Sequence, residues 1–134
     1  MPTATRSARN RALQQACLCA KVCDDFRGEN TQVLDLTDVT PIFDYFVVTT
    51  AGSRRQMVAI AEEADKRMTG DGSNRLGIEG HEGSSWILHD YGDVVLHVFD
   101  AERRQTYDLE GLWADAQPVD WREALNTTTD DAEA

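Results

Sequence analysis

The chain has 134 residues and a formal net charge of −11 at pH 7. This length suits one domain with its own core. The acidic balance excludes a chain-wide nucleic-acid-binding surface, because phosphate binding needs a positive footprint. The sequence contains no apolar run of about 18 residues and no apolar signal segment near its start, so we expect a cytoplasmic protein without a membrane span.

The N-terminal segment predicts a flexible arm over residues 1–10, followed by a helix that starts near residue 11 and stops at Gly28. Three cysteines crowd into this helix: Cys17, Cys19 and Cys23. An odd, clustered set argues against a disulfide framework. No further cysteine or histidine pair at ligand spacing accompanies them, so buried thiols are expected rather than a metal site.

Two short apolar segments, over residues 32–36 and 44–51, predict strands. A helix should begin directly afterwards, because Ser53 is a good N-cap and Gln56 completes a capping box. Gly70 closes this helix.

Arg54 and Arg55 are unusual in the first turn of a helix, where cations oppose the macrodipole at a cost of about 0.3–1 kcal/mol each. They could contact an anion or a partner, or they could be exposed and screened by solvent. The sequence leaves both possibilities open.

The next part of the chain predicts a weak strand over residues 76–79 and then a β-hairpin. Two apolar runs, which begin at Trp86 and end at Phe99, flank a polar turn around Gly92. The second run, over residues 94–99, is apolar except for His97, which is typical of a strand buried on both faces inside a sheet. A short amphipathic helix should end near residue 116.

This order of elements predicts a single α/β domain over residues 11–116, with helices on the faces of a mixed sheet. Residues 117–134 are expected to be an acidic, disordered tail. From residue 100 onward the chain carries ten acidic and three basic side chains. Such a charge would suit a basic partner protein, or it could only keep a tail in solution.

The residues offer little for catalysis. Gly52-Ser53 is similar to the Gly-Ser of nucleotidyltransferases, but no later strand supplies the paired carboxylates that would hold Mg²⁺. His81, His89 and His97 could act as bases, yet no serine or cysteine stands in a nucleophile motif. We therefore expect neither an enzyme nor a bound cofactor or metal. Aromatic and acidic residues near one end of the sheet instead favour a protein interface.

Five motifs occur in order: 44–48 (DYFVV), 52–56 (GSRRQ), 79–80 (EG), 86–99 (WILHDYGDVVLHVF) and 107–113 (YDLEGLW). Together they resemble the ribosomal silencing factor family, also called Iojap, over residues 13–113. The resemblance implies a five-stranded mixed sheet with flanking helices, similar to nucleotidyltransferases but without their activity. It also implies binding to the large ribosomal subunit through its protein fourteen, a steric block of subunit joining when nutrients run short, and a homodimer in the free state.

Carried over to this sequence, the resemblance implies a set of partner-binding residues that combines aromatic, apolar and acidic side chains. These residues are Trp86, Leu88, Asp90, Tyr91, Gly92, Asp93, His97, Tyr107, Glu110, Leu112 and Trp113. The acidic members would pair with cations of a basic ribosomal protein, and no direct contact with nucleic acid or membrane is expected. A degenerate nucleotidyltransferase-like nucleotide binder and a dimerising adaptor with a non-ribosomal partner remain as alternatives.

Overall fold

The computed structural model describes residues 2–80 and 85–126, with side chains from Arg11 onward. Helix α1 spans Pro2–Asp25, and strands β1 and β2 span Glu29–Asp35 and Tyr45–Thr50. Helix α2 (Arg54–Gly70) leads to β3 (Gly77–Glu79), β4 (Trp86–Asp90) and β5 (Val94–Phe99). The chain then forms α3 (Ala101–Tyr107), α4 (Leu109–Leu112) and β6 (Gln117–Val119), and residues 121–126 are again helical.

The strands form one mixed sheet in the order β3-β4-β5-β2-β1-β6. Strands β2 and β5 run parallel at its centre, and every other neighbouring pair is antiparallel. The predicted single α/β domain with a mixed sheet is therefore confirmed, and β5 lies inside the sheet as its apolar sequence indicated. The expected number of five strands was wrong, because β6 adds a sixth.

Strand β6 lies in the segment that we expected to be disordered. It pairs with the outer side of β1, where Val119 faces Val33 and Pro118 faces Leu34. An edge position tolerates Pro118, because none of the described strands pairs with the outer side of β6. After the strand, Trp121 is 6% exposed and its indole N–H donates to the carbonyl oxygen of Thr31 at 3.2 Å. The tail prediction is thus wrong for residues 117–126, whereas residues 127–134 lie outside the described part.

The N-terminal segment also differs from the expected flexible arm. The backbone is helical from Pro2, so α1 continues without interruption through the region that we assigned to the arm. In the described part of the chain, no helix is long and apolar enough to cross a membrane.

The two faces of the sheet have different cores. Helices α1 and α2 cover one face, where β1, β4 and β5 contribute Val33, Ile87, Leu96 and Val98. Alternate residues of the same strands point to the second face, as strand geometry requires. That second face holds a smaller cluster made of Leu34, Leu36, Phe46, Val48, Val95, Phe99, Leu109 and Ala116. Among the described residues, the second face carries α3, α4 and the loop before β2, and these leave a groove open on it.

The start of α2 confirms the predicted cap and modifies it. Ser53 Oγ accepts from the N–H of Gln56 at 3.1 Å, as an N-cap does. The side-chain oxygen of Gln56 accepts from the N–H of Gly52 at 2.7 Å, one residue before the expected partner. Its amide nitrogen donates to the carbonyl oxygens of Phe26 and Arg27. Gln56 therefore also ties the start of α2 to the end of α1.

The three cysteines are buried in α1 and free, which confirms the prediction of buried thiols. Burial raises the pKa of Cys17 to about 11. A hydrogen bond with Cys19, followed by burial, raises the pKa of Cys23 well above its usual value. These residues consequently act as small apolar side chains of the helix-covered core.

Candidate partner-binding site

An aromatic groove lies on the second face of the sheet, over β4, β5 and β2. Its cavity measures about 430 Å³, a size typical of ligand and peptide sites. Its walls are formed by Phe43, Phe46, Trp86, Leu88, Val95, His97, Leu109 and Trp113, and it is bordered by Gly77, Ile78, Glu79 and Asp90. These twelve residues are called the aromatic groove below.

The rings of the groove contact one another in a continuous row with His97 at its middle. His97 lies edge-on to Phe46, with ring centroids 4.6 Å apart, and its centroid is 5.8 Å from that of Trp86. Phe46 in turn meets Trp113 edge-on at 5.9 Å. At the other end, Trp86 packs on Tyr107 of α3 at 4.5 Å. Such mutual contacts fix the rings and give the groove a defined shape.

The tautomer of His97 follows from its hydrogen bond to Trp86. The indole N–H of Trp86 donates to Nδ1 of His97 at 3.1 Å. Since an indole only donates, Nδ1 must be unprotonated and Nε2 must carry the proton. His97 is 3% exposed, and burial lowers its pKa to about 3, so that the ring is neutral at physiological pH. The Nε2 atom is buried and has no hydrogen-bond partner in the described residues.

A buried arginine holds α3 and α4 beside the groove. Arg104 is 7% exposed, and its guanidinium donates to Thr50 Oγ1 at 2.9 Å and to Glu110 Oε2 at 3.4 Å. The first bond attaches α3 to the sheet, and the second attaches α4 to α3. Asp108 forms the joint between the helices, because it ends α3 with a left-handed φ of 44° and its carboxylate caps α4 at Gly111. Leu109 and Trp113 are thereby fixed over the sheet.

Two carboxylates give the groove an acidic border. Glu79 is exposed at the end of β3, and Asp90 is half-buried at the end of β4. One oxygen of Asp90 accepts from the N–H of Gly92 at 2.8 Å, which shapes the hairpin turn. Among the described side chains, neither carboxylate forms an ion pair. Their negative charge gives this end of the groove its acidic character.

The structure brings five of the eleven sequence-predicted residues into the groove: Trp86, Leu88, Asp90, His97 and Trp113. Tyr107, Glu110 and Leu112 lie next to it on α3 and α4, where Leu112 is 73% exposed. Gly92 and Asp93 form the turn of the hairpin, and Gly92 has a φ of 88° that favours glycine.

Tyr91 lies apart from the other predicted residues, on the helix-covered face. Its hydroxyl donates to Asp65 Oδ1 of α2 at 2.7 Å, and it lies 3.2 Å from Nδ1 of His89. Because the hydroxyl proton goes to Asp65, the bond from His89 must run from Nδ1–H to the tyrosine oxygen. Burial, followed by the bond to Asp65, raises the pKa of Tyr91. The buried side chain connects the sheet to α2 and offers no surface to a partner.

Several groove residues were missed in the sequence: Phe43, Phe46, Val95, Leu109 and Glu79. A signal existed for Phe46 and Val95, since the period of two in a strand places alternate residues on one face. Their pairing across parallel strands β2 and β5 is a long-range contact that no local pattern reveals.

The loop that resembles a nucleotidyltransferase motif uses its own polar groups. The N–H of Gly52 and the Oγ of Ser53 are both engaged by Gln56. Arg54 donates to the carbonyl oxygen of Gly80 at 2.9 Å, which gives this cation a structural contact, whereas Arg55 is exposed. No group of three potential metal ligands occurs among the described side chains. His81 lies outside the described residues.

Comparison with known proteins gives a consistent result. Residues 9–134 match the family model described as "Ribosomal silencing factor during starvation". The chain is 37% identical over 109 residues to the ribosomal silencing factor of Bacillus subtilis, covering 81% of this chain and 92% of that protein. It is 30% identical to the chloroplastic protein Iojap of Arabidopsis thaliana, covering 89% of this chain and 50% of that protein. A crystal structure of a Chromobacterium violaceum protein superposes with a TM-score of 0.71 at 35% identity, covering 76% of this chain and 86% of the other.

Proposed function

Because the chain belongs to the ribosomal silencing factor family, we propose that it binds the large ribosomal subunit through protein fourteen of that subunit. Occupying this position sterically blocks the small subunit and lowers translation when nutrients are limiting. The protein acts in the cytoplasm as a binding protein and not as an enzyme.

The observation that carries this proposal is the aromatic groove with its acidic border. Interfaces use aromatic anchors in well-packed pockets surrounded by polar groups, and the groove combines both on the sheet face that α1 and α2 leave accessible. Glu79 and Asp90, together with a net charge of −11, favour a basic partner such as a ribosomal protein. The predicted residues Tyr107, Leu112 and Trp113 extend the surface along α3 and α4.

The alternative of a nucleotide-binding protein has weaker support, because Gly52 and Ser53 are engaged by Gln56 and not directed to a phosphate. A dimerising adaptor with a non-ribosomal partner would use the same groove, so only the identity of the partner separates it from the ribosomal proposal.

The free protein is proposed to be a homodimer that buries the same surface. Titration of isolated ribosomal protein fourteen into the dimer should then dissociate it, as followed by sedimentation velocity. A stable complex of the dimer with the partner would contradict a shared surface.

The function itself is tested by subunit joining. Purified large subunits are incubated with the protein before small subunits are added, and joined ribosomes are quantified on a sucrose gradient. The protein should reduce joining in proportion to its occupancy of large subunits. The matched control is Phe26→Ala, which removes an exposed side chain at the end of α1, and it should act like the wild type. Undiminished joining at saturating protein would refute the proposed role.

A further inference from the structure

His97 lines the aromatic groove, and its buried Nε2–H has no hydrogen-bond acceptor among the described residues. Leaving a buried donor unpaired costs about 1–3 kcal/mol, and buried polar groups are rarely left without a partner in native structures. The groove has ample space for an added group, since its cavity is about 430 Å³. The feature therefore points to an occupant that supplies an acceptor.

We infer that His97 Nε2–H recognises a carbonyl oxygen of a short segment of the basic partner protein, which inserts an apolar side chain into the aromatic groove. This inference rests on the proposed function and specifies how the site selects its partner. A lysine or arginine of the same segment pairs with Asp90 or Glu79.

The donor is fixed in advance by the residues around it. Trp86 occupies Nδ1 and so keeps the proton on Nε2, while Phe46 contacts the ring edge-on. A 180° rotation of the ring would break the bond from Trp86, because it would place the Cδ2–H group at the position of Nδ1. The ring also stays neutral, because burial opposes its protonation. A fixed neutral donor in an apolar wall is suited to a carbonyl oxygen and unsuited to a cation.

The acidic border selects the charge of the occupant. Neither Glu79 nor Asp90 has an ion-pair partner among the described side chains. The chain's own last residues include Asp130, Asp131 and Glu133, which would bring like charges to this border. A second copy of the chain brings a further charge of −11, so it is a weaker occupant than a basic segment. A basic partner can therefore displace the homodimer.

Two substitutions of His97 distinguish the contribution of the Nε2–H donor to binding from the contribution of the imidazole ring. In His97→Asn, the side-chain oxygen can take the place of Nδ1 and accept from Trp86, but no donor remains at the position of Nε2. In His97→Gln, the amide nitrogen can take the place of Nε2. Affinity for isolated ribosomal protein fourteen and for purified large subunits is measured for both variants and for the wild type, and thermal unfolding confirms that each variant is folded.

The expected result is that His97→Asn weakens binding by about tenfold while His97→Gln stays within about threefold of the wild type. Equal losses in the two folded variants, or no loss in either, would overturn the inference and leave the proposed function standing. A change only in homodimer dissociation would assign the donor to a second copy and would also overturn it. Absence of wild-type binding to either ribosomal target would refute the proposed function, and the inference with it.

Discussion

The indole N–H of Trp86 donates to Nδ1 of His97 across the antiparallel pair β4–β5, with 3.1 Å between the nitrogen atoms. The bond joins the two strands of the predicted hairpin on the face away from α1 and α2. It fixes the histidine as a neutral donor at Nε2, and it fixes the indole that forms one wall of the aromatic groove. The local hairpin and the candidate binding site therefore depend on the same contact.

Burial of His97 makes the stability of the protein sensitive to acid. The folded protein holds the ring neutral, with a pKa of about 3 against an ordinary value of 6.5. The unfolded chain takes up a proton as the pH falls below the ordinary value, so acid favours unfolding. The stabilisation that comes from the neutral ring is complete above pH 6.5, and it is lost progressively as the pH falls toward the pKa of the folded protein. His97 should thus lower the free energy of unfolding by about 2 kcal/mol at pH 5 relative to pH 7.5.

Urea unfolding of the wild type and of His97→Gln at several pH values isolates this contribution, because the other titrating groups are common to both proteins. The difference between the two free energies of unfolding should change by the stated amount between the two pH values. A difference independent of pH would contradict the buried neutral ring.

The hydroxyl of Tyr91 should matter for stability and not for partner binding. Tyr91→Phe removes the group that connects His89 in β4 to Asp65 in α2. Since it leaves the Nδ1–H of buried His89 without this acceptor, we expect a loss of about 1–3 kcal/mol in the free energy of unfolding. Chemical denaturation measures the loss, and binding to large subunits should be unchanged. Weaker binding by a variant of wild-type stability would place Tyr91 in the interface instead.

Arg104 should be required for the position of α3 and α4. Arg104→Met retains much of the buried stem but removes the donors to Thr50 and Glu110. Glu110 is partly exposed, so the unpaired carboxylate is partly solvated, and we expect a cost of about 1–3 kcal/mol. The wavelength of the fluorescence emission from Trp113 should also shift, because Glu110 and Trp113 both come after Asp108, the joint between α3 and α4.

The control is Arg103→Met on the same helix. Arg103 is only half-buried, and its guanidinium bonds to Ser85 Oγ. If Arg103→Met lowered the free energy of unfolding as much as Arg104→Met does, the buried Arg104–Glu110 pair would have no special role in stability.

Trp121 should anchor the C-terminal segment. Trp121→Ala removes a buried ring of the helix-covered core together with its bond to Thr31, and we expect a loss of about 3–5 kcal/mol in the free energy of unfolding. Trp121→Phe keeps most of the apolar contact and should lose less. Thermal unfolding with both variants measures the difference. Wild-type stability of Trp121→Ala would restore the interpretation of residues 117–126 as a disordered tail.

Local patterns were sufficient for most elements. The β4–β5 hairpin could be predicted from the sequence because its two apolar runs flank a glycine turn. The start of α2 could be predicted because the side chains of Ser53 and Gln56 satisfy the unpaired backbone N–H groups at the helix start. Strand β6 could not be predicted in this way, because it has three residues, contains Pro118 and pairs with β1, which is distant in sequence.

The candidate site could be predicted only in part, because it too depends on pairing between strands that are distant in sequence. Trp86, Leu88 and Asp90 share a face through the period of two, and this rule also separates them from Tyr91, which continues the face of Ile87 and His89. Applied along the whole of β4, the alternation would have placed Tyr91 under α2. The contributions of Phe43 and Phe46 depend on the parallel pairing of β2 with β5, which the sequence does not encode locally.

The measurement that tests the central claim most directly is sedimentation of the protein with isolated large and small ribosomal subunits. The wild type is compared with Leu88→Ala combined with Trp113→Ala, which opens the aromatic groove, and with Phe26→Ala, which changes an exposed residue directly after α1. The account predicts that the wild type and Phe26→Ala sediment with large subunits only, and that the folded double variant does not. Equal sedimentation of the folded double variant with large subunits would contradict the assignment of the groove as the binding surface.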